Sequence, residues 1–296
     1  MTIQIQNKHL QVLIDEPGSL YTGSRFDWSG QISQITLDGK HHFCSVETLD
    51  KDLQTISGRG FCNEFGIETC IGYKDCTPGD YFPKIGVGLL QKESEKPYFF
   101  FTQYRIQPAN FIVNPISSNG IQIDTSIENH RGYGFMLTKK YEIDDHSLVV
   151  HYQLENTGAK ILETEEYSHN FAIVDDIPMG NSYRLSFPQK INIADLDEKV
   201  NPADSVSINE DNLTWNSTPP SDFFFSKIGG SSGAMNSWEL ENSKAGVGLR
   251  ETCDFQPIRC NVWGKAHVIS PELFHWISVK PGQTKTWKRK YDFYFL

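Results

Sequence analysis

The stretch "GIQIDTSIENHRGYGFMLTKKYEIDDHSLVVHYQLENTG", Gly120–Gly158, alternates apolar and polar residues in runs broken at "NHRG", "DDHS" and "ENTG". Side chains on a strand point to opposite faces in turn, and Asn, Asp, Gly and Ser favour tight turns, so this pattern predicts an antiparallel meander. Outward from it the same pattern recurs. "TWKRKYDFYFL" (Thr286–Leu296) puts Trp287, Arg289, Tyr291, Phe293 and Phe295 on one strand face, and the aromatic "KPYFFFTQYRI" (Lys96–Ile106) is expected as a further strand. No window of helical length carries a capped i, i+3, i+4, i+7 apolar stripe, so any helices should be short. The polar segment Ala194–Asp222, "ADLDEKVNPADSVSINEDNLTWNSTPPSD", is expected to be a surface excursion, since strand patterns resume on both sides. With no repeat and no linker between blocks of different composition, residues 1–296 are expected to form one all-β domain, a sandwich of large antiparallel sheets.

The chain has 296 residues, enough for a sizeable core, and its 37 acidic against 27 basic side chains give a net charge of −10. That balance repels nucleic acid and anionic membranes and suits a neutral small molecule. The opening residues mix charges into an alternating apolar pattern, unlike a signal peptide, and no run of ~18 apolar residues could span a bilayer. A cytoplasmic protein, monomer or homodimer, with no membrane and no nucleic-acid partner is expected. The six cysteines (Cys44, Cys62, Cys70, Cys76, Cys253, Cys260) are expected as free thiols, because a chain this size does not need disulfides and their spacing is too wide for a zinc site.

Three places carry candidate chemistry. In "EEYSHNFAIVDD" (Glu165–Asp176) strand parity sets His169 on one face with Glu165, Tyr167, Phe171, Ile173 and Asp175. Such a histidine is either a core residue bonded to a carbonyl or a proton donor, with burial lowering its pKa and a neighbouring carboxylate raising it back toward neutrality. Glu272 lies between a proline and an apolar strand containing Trp276; it is either a solvated glutamate or a carboxylate beside an aromatic sugar platform. In "SGRGFCNEFGIE" (Ser57–Glu68) Arg59 stands between two glycines, free to be thrust toward a ligand's hydroxyls or simply to occupy a turn. "IGVG" (Ile85–Gly88) is too short for a dinucleotide fingerprint.

Taken in order, "RFDWSGQISQITLDGKHHF" (Arg25–Phe43), "GRGFCNEFGIE", "YFPKIGVGLLQK" (Tyr81–Lys92), "EEYSHNFAIVDD" and "SPELFHWISVKPGQTKTWKRKYDF" (Ser270–Phe293) resemble the aldose 1-epimerase, or galactose mutarotase-like, superfamily. The similarity runs from about Leu10 to the C-terminus, and its most specific elements are the "HNF" strand and the terminal "PG…W.R.Y.F" strand. The resemblance implies a β-supersandwich with a concave carbohydrate-binding face and interconversion of α and β anomers of an aldose or sugar phosphate. It implies His169 as the acid that protonates the ring oxygen and Glu272 as the base that takes the anomeric hydroxyl's proton. Arg59, Glu64, Asp176 and Trp276 are the expected substrate contacts, Asp176 only if the strand bulges or ends before it. Opening a hemiacetal needs one acid and one base, so neither metal nor cofactor is expected. The "GRGFCNEFG" segment lacks the further histidine that galactose mutarotases carry in an "NHxHGG"-like segment. That departure keeps open a non-catalytic carbohydrate-binding protein; a glycoside hydrolase using Glu64 and Glu272 is the third possibility.

Overall fold

The computed structural model describes residues 1–229 and 235–296. Two ten-stranded antiparallel sheets form the body. The first runs β1 (Thr2–Gln6), β2 (Leu10–Asp15), β3 (Ile32–Leu37), β5 (Phe61–Phe65), β13 (Leu162–Asn170), β22 (Val268–Val279), β21 (Arg259–Lys265), β18 (Phe223–Phe225) and β15 (Lys199–Val200), with β4 (His41–His42) paired to β3. The second runs β16 (Val206–Ile208), β17 (Asn212–Trp215), β14 (Tyr183–Ser186), β19 (Ser237–Asn242), β20 (Val247–Cys253), β23 (Thr284–Phe295), β12 (Ser147–Asn156), β11 (Tyr133–Asp144), β10 (Gly120–His130) and β9 (Asn110–Ser117). A small sheet, β6 (Tyr81–Lys84), β7 (Gly88–Gln91) and β8 (Ile106–Pro108), packs separately. The meander expected from Gly120–Gly158 is β10–β11–β12, paired in register from Gly120 opposite Glu142 to Asp144 opposite Ser147. Helical structure among the described residues is limited to short 3₁₀ turns, and no helix there is long and apolar enough to cross a membrane.

Alternation explains where the core sits. One face of the first sheet packs on the second sheet through a cluster that includes Phe61, Phe65, Leu273 and Ile277 from the first and Tyr152, Leu154, Trp287 and Tyr291 from the second. The opposite face of the first sheet contributes Cys62, Phe171 and Val268 to a smaller aromatic cluster with Phe26, Trp28, Phe82 and Tyr104. That cluster covers part of the face, and the remainder is left open.

Two expectations change. "KPYFFFTQYRI" is not a strand: Thr102 N–H donates to the Phe99 carbonyl in a turn, and only Ile106 begins β8. Three consecutive phenylalanines cannot all share one strand face, and here Phe99 and Phe101 are exposed while Phe100 and Phe101 lie against Arg25. The Ala194–Asp222 excursion is not only surface loop. It supplies β16 and β17 to the second sheet and β15 to the first, with Leu213 and Trp215 buried.

Candidate active site

On β13 the side chains alternate between the inter-sheet core and the open face. Glu166, Ser168 and Asn170 bond core residues, while Tyr167 and His169 stand on the other side. β13 pairs with β22 so that Glu166 lies opposite His275, and beyond the paired segment Ala172 bridges Ile269. The same register places His169 opposite Glu272 and Tyr167 opposite Phe274. The contacts follow: His169 Nε2 is 3.4 Å from Glu272 Oε1, and the Tyr167 and Phe274 rings stack with centroids 4.3 Å apart. Both members of the polar pair are buried, at 4% and 5% exposure.

They open onto a cavity of about 490 Å³. Its walls come from β13, β21, β22 and the loops before β3 and β8. Trp263 sets its ring edge-on to His169 at 5.4 Å, and Phe171 stacks beneath the imidazole at 3.9 Å. Arg25 spans the floor. Its Nε donates to Glu64 at 2.8 Å, its Nη2 to the Tyr167 hydroxyl at 3.1 Å and its Nη1 to Glu47 at 3.3 Å, while its guanidinium lies over the Phe100 ring. Arg259 is held by Glu68 at 2.9 Å and over the Phe274 ring at 3.9 Å. Glu68 is itself placed by Glu165, whose carboxylate accepts from the backbone N–H groups of Glu68 and Thr69.

Burial decides the protonation of the central pair. It holds His169 well below the ordinary imidazole value, the Arg25 charge adding to the effect, and it pushes Glu272 up to about 8 against the opposing influence of Arg25 and a hydrogen bond from Ser270. The expectation of a histidine poised near neutrality is therefore corrected: desolvation outweighs the carboxylate beside it. Near neutral pH the pair holds one proton, and burial favours its residence on Glu272. Imidazolium–carboxylate and imidazole–carboxylic acid are the same charge state, differing by transfer across the 3.4 Å contact. His169 Nδ1 has no hydrogen-bond partner among the described residues, so only the contact of Nε2 with Glu272 bears on its protonation.

The structure brings His169 and Glu272 together and leaves the other four candidates outside the cavity lining. Glu64 is fully buried, one layer below, paired with Arg25 and, at 3.5 Å, with Lys84. With only one carboxylate of the Glu64–Glu272 pair on the cavity wall, the two-carboxylate arrangement of a hydrolase is not formed by them. Arg59 turns toward Asp15, Nε to Oδ2 3.7 Å, and bridges Val46 through its backbone. Its flanking glycines serve packing instead: a Cβ on Gly60, at φ +54°, would lie 1.8 Å from the Ile32 carbonyl, and one on Gly58 would meet the Phe171 ring. Asp176 is exposed, six residues past the end of β13, where a tight turn from Asn170 to Ala172 breaks the parity assumed for Ile173 and Asp175. Trp276 is 39% exposed and opposite Glu165 on β22, four residues or roughly 13 Å along from Glu272. The aromatic beside the carboxylate is Trp263, from the neighbouring strand.

Arg25, Tyr167, Arg259 and Trp263 are among the cavity residues that sequence reasoning missed. Arg25 opens the "RFDW" segment and Tyr167 shares the face of His169, so both carried a signal; Arg259 and Trp263 acquire theirs only through the β21–β22 pairing.

No family model matches the chain, and no curated protein does. Solved structures do. A galactose mutarotase related enzyme from Lactobacillus acidophilus superposes with TM-score 0.59 at 11% identity, over 99% of this chain and 97% of its own. A galactose mutarotase-like protein from Lactobacillus casei gives 0.58 at 14%, over 99% and 100%. The chain has the galactose mutarotase-like fold. An aldose epimerase homologue from C. elegans, TM-score 0.57 at 12% identity, shares it across all of this chain and 99% of its own. Within the galactose mutarotase-like fold, the His169–Glu272 pair lines a cavity on the face of the first sheet turned away from the inter-sheet core.

Proposed function

We propose that the protein is a cytoplasmic aldose 1-epimerase-like isomerase that interconverts the α and β anomers of an aldose or sugar phosphate by acid/base ring opening. The observation that carries this is the 3.4 Å approach of His169 Nε2 and Glu272 Oε1 at the base of an otherwise carbohydrate-sized cavity. Mutarotation moves protons at two oxygens bonded to the same carbon, so it needs one acid and one base that both reach that carbon's oxygens. A glycosidase instead needs two carboxyl groups ~5–9.5 Å apart. Once the shared proton has moved from Glu272 to His169 across their contact, His169 delivers it to the ring oxygen while the Glu272 carboxylate accepts that of the anomeric hydroxyl; rotation about C1–C2 and the reverse transfers close the ring to the other anomer. Trp263 offers an apolar face to the sugar ring, and Arg25 holds Tyr167 beside the imidazole. A cytoplasmic setting suits six unbridged thiols.

Anomer-exchange NMR over a panel of aldoses and sugar phosphates tests the proposal: acceleration is expected for at least one sugar, and rates equal to buffer for all of them would end it. Among the described residues the cavity wall holds a single histidine, which favours a second reading, a carbohydrate-binding protein without turnover. Glu272→Gln separates the two, since a binder loses little while an enzyme loses rate with modest change in affinity.

A further inference from the structure

Away from the cavity, three turns meet at one end of the sandwich. The β1–β2 turn carries Asn7 and His9, the β3–β4 turn carries Asp38, and the β11–β12 turn carries Asp145 and His146. The first two belong to the first sheet and the third to the second. We propose that His9, Asp38 and His146 form a binding site for a divalent transition ion of the zinc class, one that ties the two large sheets together at this end.

One ligand atom from each of the three residues lies within 4.8 Å of the others. The imidazoles of His9 and His146 stack with centroids 4.0 Å apart and planes 24° from parallel. Each has a carboxylate at Nδ1: Asp38 Oδ1 at 2.9 Å from His9, and Asp145 Oδ2 at 2.9 Å from His146. Asp145 Oδ1 also stands 3.7 Å from His9 Nε2, which makes Asp145 a fourth ligand or the group that orients a ligating imidazole. The turns are pinned together by main-chain bonds. Asp38 N–H donates to the His9 carbonyl at 2.7 Å, and Asn7 Nδ2 donates to the Asp145 carbonyl at 2.8 Å while its Oδ1 accepts from His9 N–H.

A zinc-class ion binds imidazole nitrogen and carboxylate oxygen at ~2.0–2.2 Å, which for a tetrahedral site puts ligand atoms a little over 3 Å apart. The side chains therefore need to close by only about an ångström, and their partial exposure, 25% for His9 and 33% for His146, leaves room for that and for the ion to enter. Two nitrogens with one or two carboxylates select zinc, copper or nickel over magnesium and calcium, which take oxygen ligands. None of the donors is a cysteine, so the cysteine spacing had no bearing on this site. None of them lines the catalytic cavity, so binding is a separate property from turnover.

The test uses the full untagged chain, stripped with chelator and titrated with ZnCl2 by calorimetry. One equivalent of Zn2+ is expected, with affinity at least tenfold weaker in His9→Ala and in His146→Ala, while His151→Ala, an exposed imidazole elsewhere on the second sheet, binds as wild type. Zn2+ should raise the melting temperature of the wild type and leave that of the double alanine variant unmoved, and MgCl2 should do neither. Asp38→Asn keeps the turn's shape and gives an independent measure if an alanine variant folds poorly. No saturable Zn2+ binding by the wild type, or binding unchanged in both histidine variants and in Asp38→Asn, would overturn the proposal.

Discussion

The two faces of β13 bury charge to opposite ends. Toward the inter-sheet core, Glu166 accepts from Arg289 and Asn63, Arg289 also holds Glu251, and Glu251 accepts in turn from Asn170 and Trp238. Tyr291 donates to Ser168 and Asn170, and Asn63 accepts from Lys139 and Tyr152. Of these groups, Arg289 Nε is the buried atom left without a partner. Toward the cavity, among the described residues, His169 Nδ1 has no partner and Nε2 has only Glu272 at 3.4 Å, longer than a good hydrogen bond. A nearly saturated network fixes structure, and an unsaturated pair keeps proton donors and acceptors free for something else.

The contrast can be broken from either side. The largest expected effect is kinetic: His169→Asn or Glu272→Gln should lower the anomer-exchange rate on the order of 10²–10⁴-fold with the fold retained by circular dichroism. Next comes Arg289→Met on the core face, which strands Glu166 and Glu251 in the interior and should cost about 3–5 kcal/mol in chemical denaturation.

The pH dependence has a definite sign. Since the working pair holds one proton and Glu272 loses it near 8, kcat/KM should fall as pH rises through about 8, toward tenfold per unit. For stability, the raised Glu272 value means the folded chain binds more protons than the unfolded chain between the ordinary glutamate value and about 8. Its contribution to stability is therefore lost as pH rises across that window. Glu272→Gln should accordingly raise the melting temperature at pH 8 more than at pH 5, whereas Glu166→Gln, which takes one of its two carboxylates from buried Arg289, should lower it at both. A melting temperature for Glu272→Gln at or below that of the wild type at pH 8 would erase the distinction between the faces.

The smallest effect separates two tryptophans. Trp263→Ala should raise KM for the active sugar severalfold, whereas Trp276→Ala should leave KM and kcat within about twofold, as for a surface change away from the site. Equal effects in the two variants would mean that the cavity reaches farther along β22 than its lining shows.

These outcomes also measure what a sequence can carry. The β10–β12 meander was legible because alternation and turn residues are local, and its breaks fall where the strands end. The alternation of Trp287, Arg289, Tyr291 and Phe293 was legible for the same reason, although Phe295 is 53% exposed at the strand's end. His169 and Glu272 could be singled out one by one, but their opposition depends on the register between β13 and β22, which no local pattern encodes. Trp276 was chosen over Trp263 through that same gap, since nearness along one strand stood in for nearness across two. The Phe99–Phe101 segment failed differently: aromatic content argued for a strand, and a turn that sets Phe100 and Phe101 against Arg25 prevailed over propensity.

Arg289 has a consequence for how the chain reaches its native pairing. Sliding β13 by one residue so that Tyr167 takes the place of Glu166 would turn Glu166 outward and His169 inward, leaving the buried Arg289 with Glu251 alone. The terminal strand thus acts as a proofreader, disfavouring a misalignment that would turn the cavity histidine into the inter-sheet core.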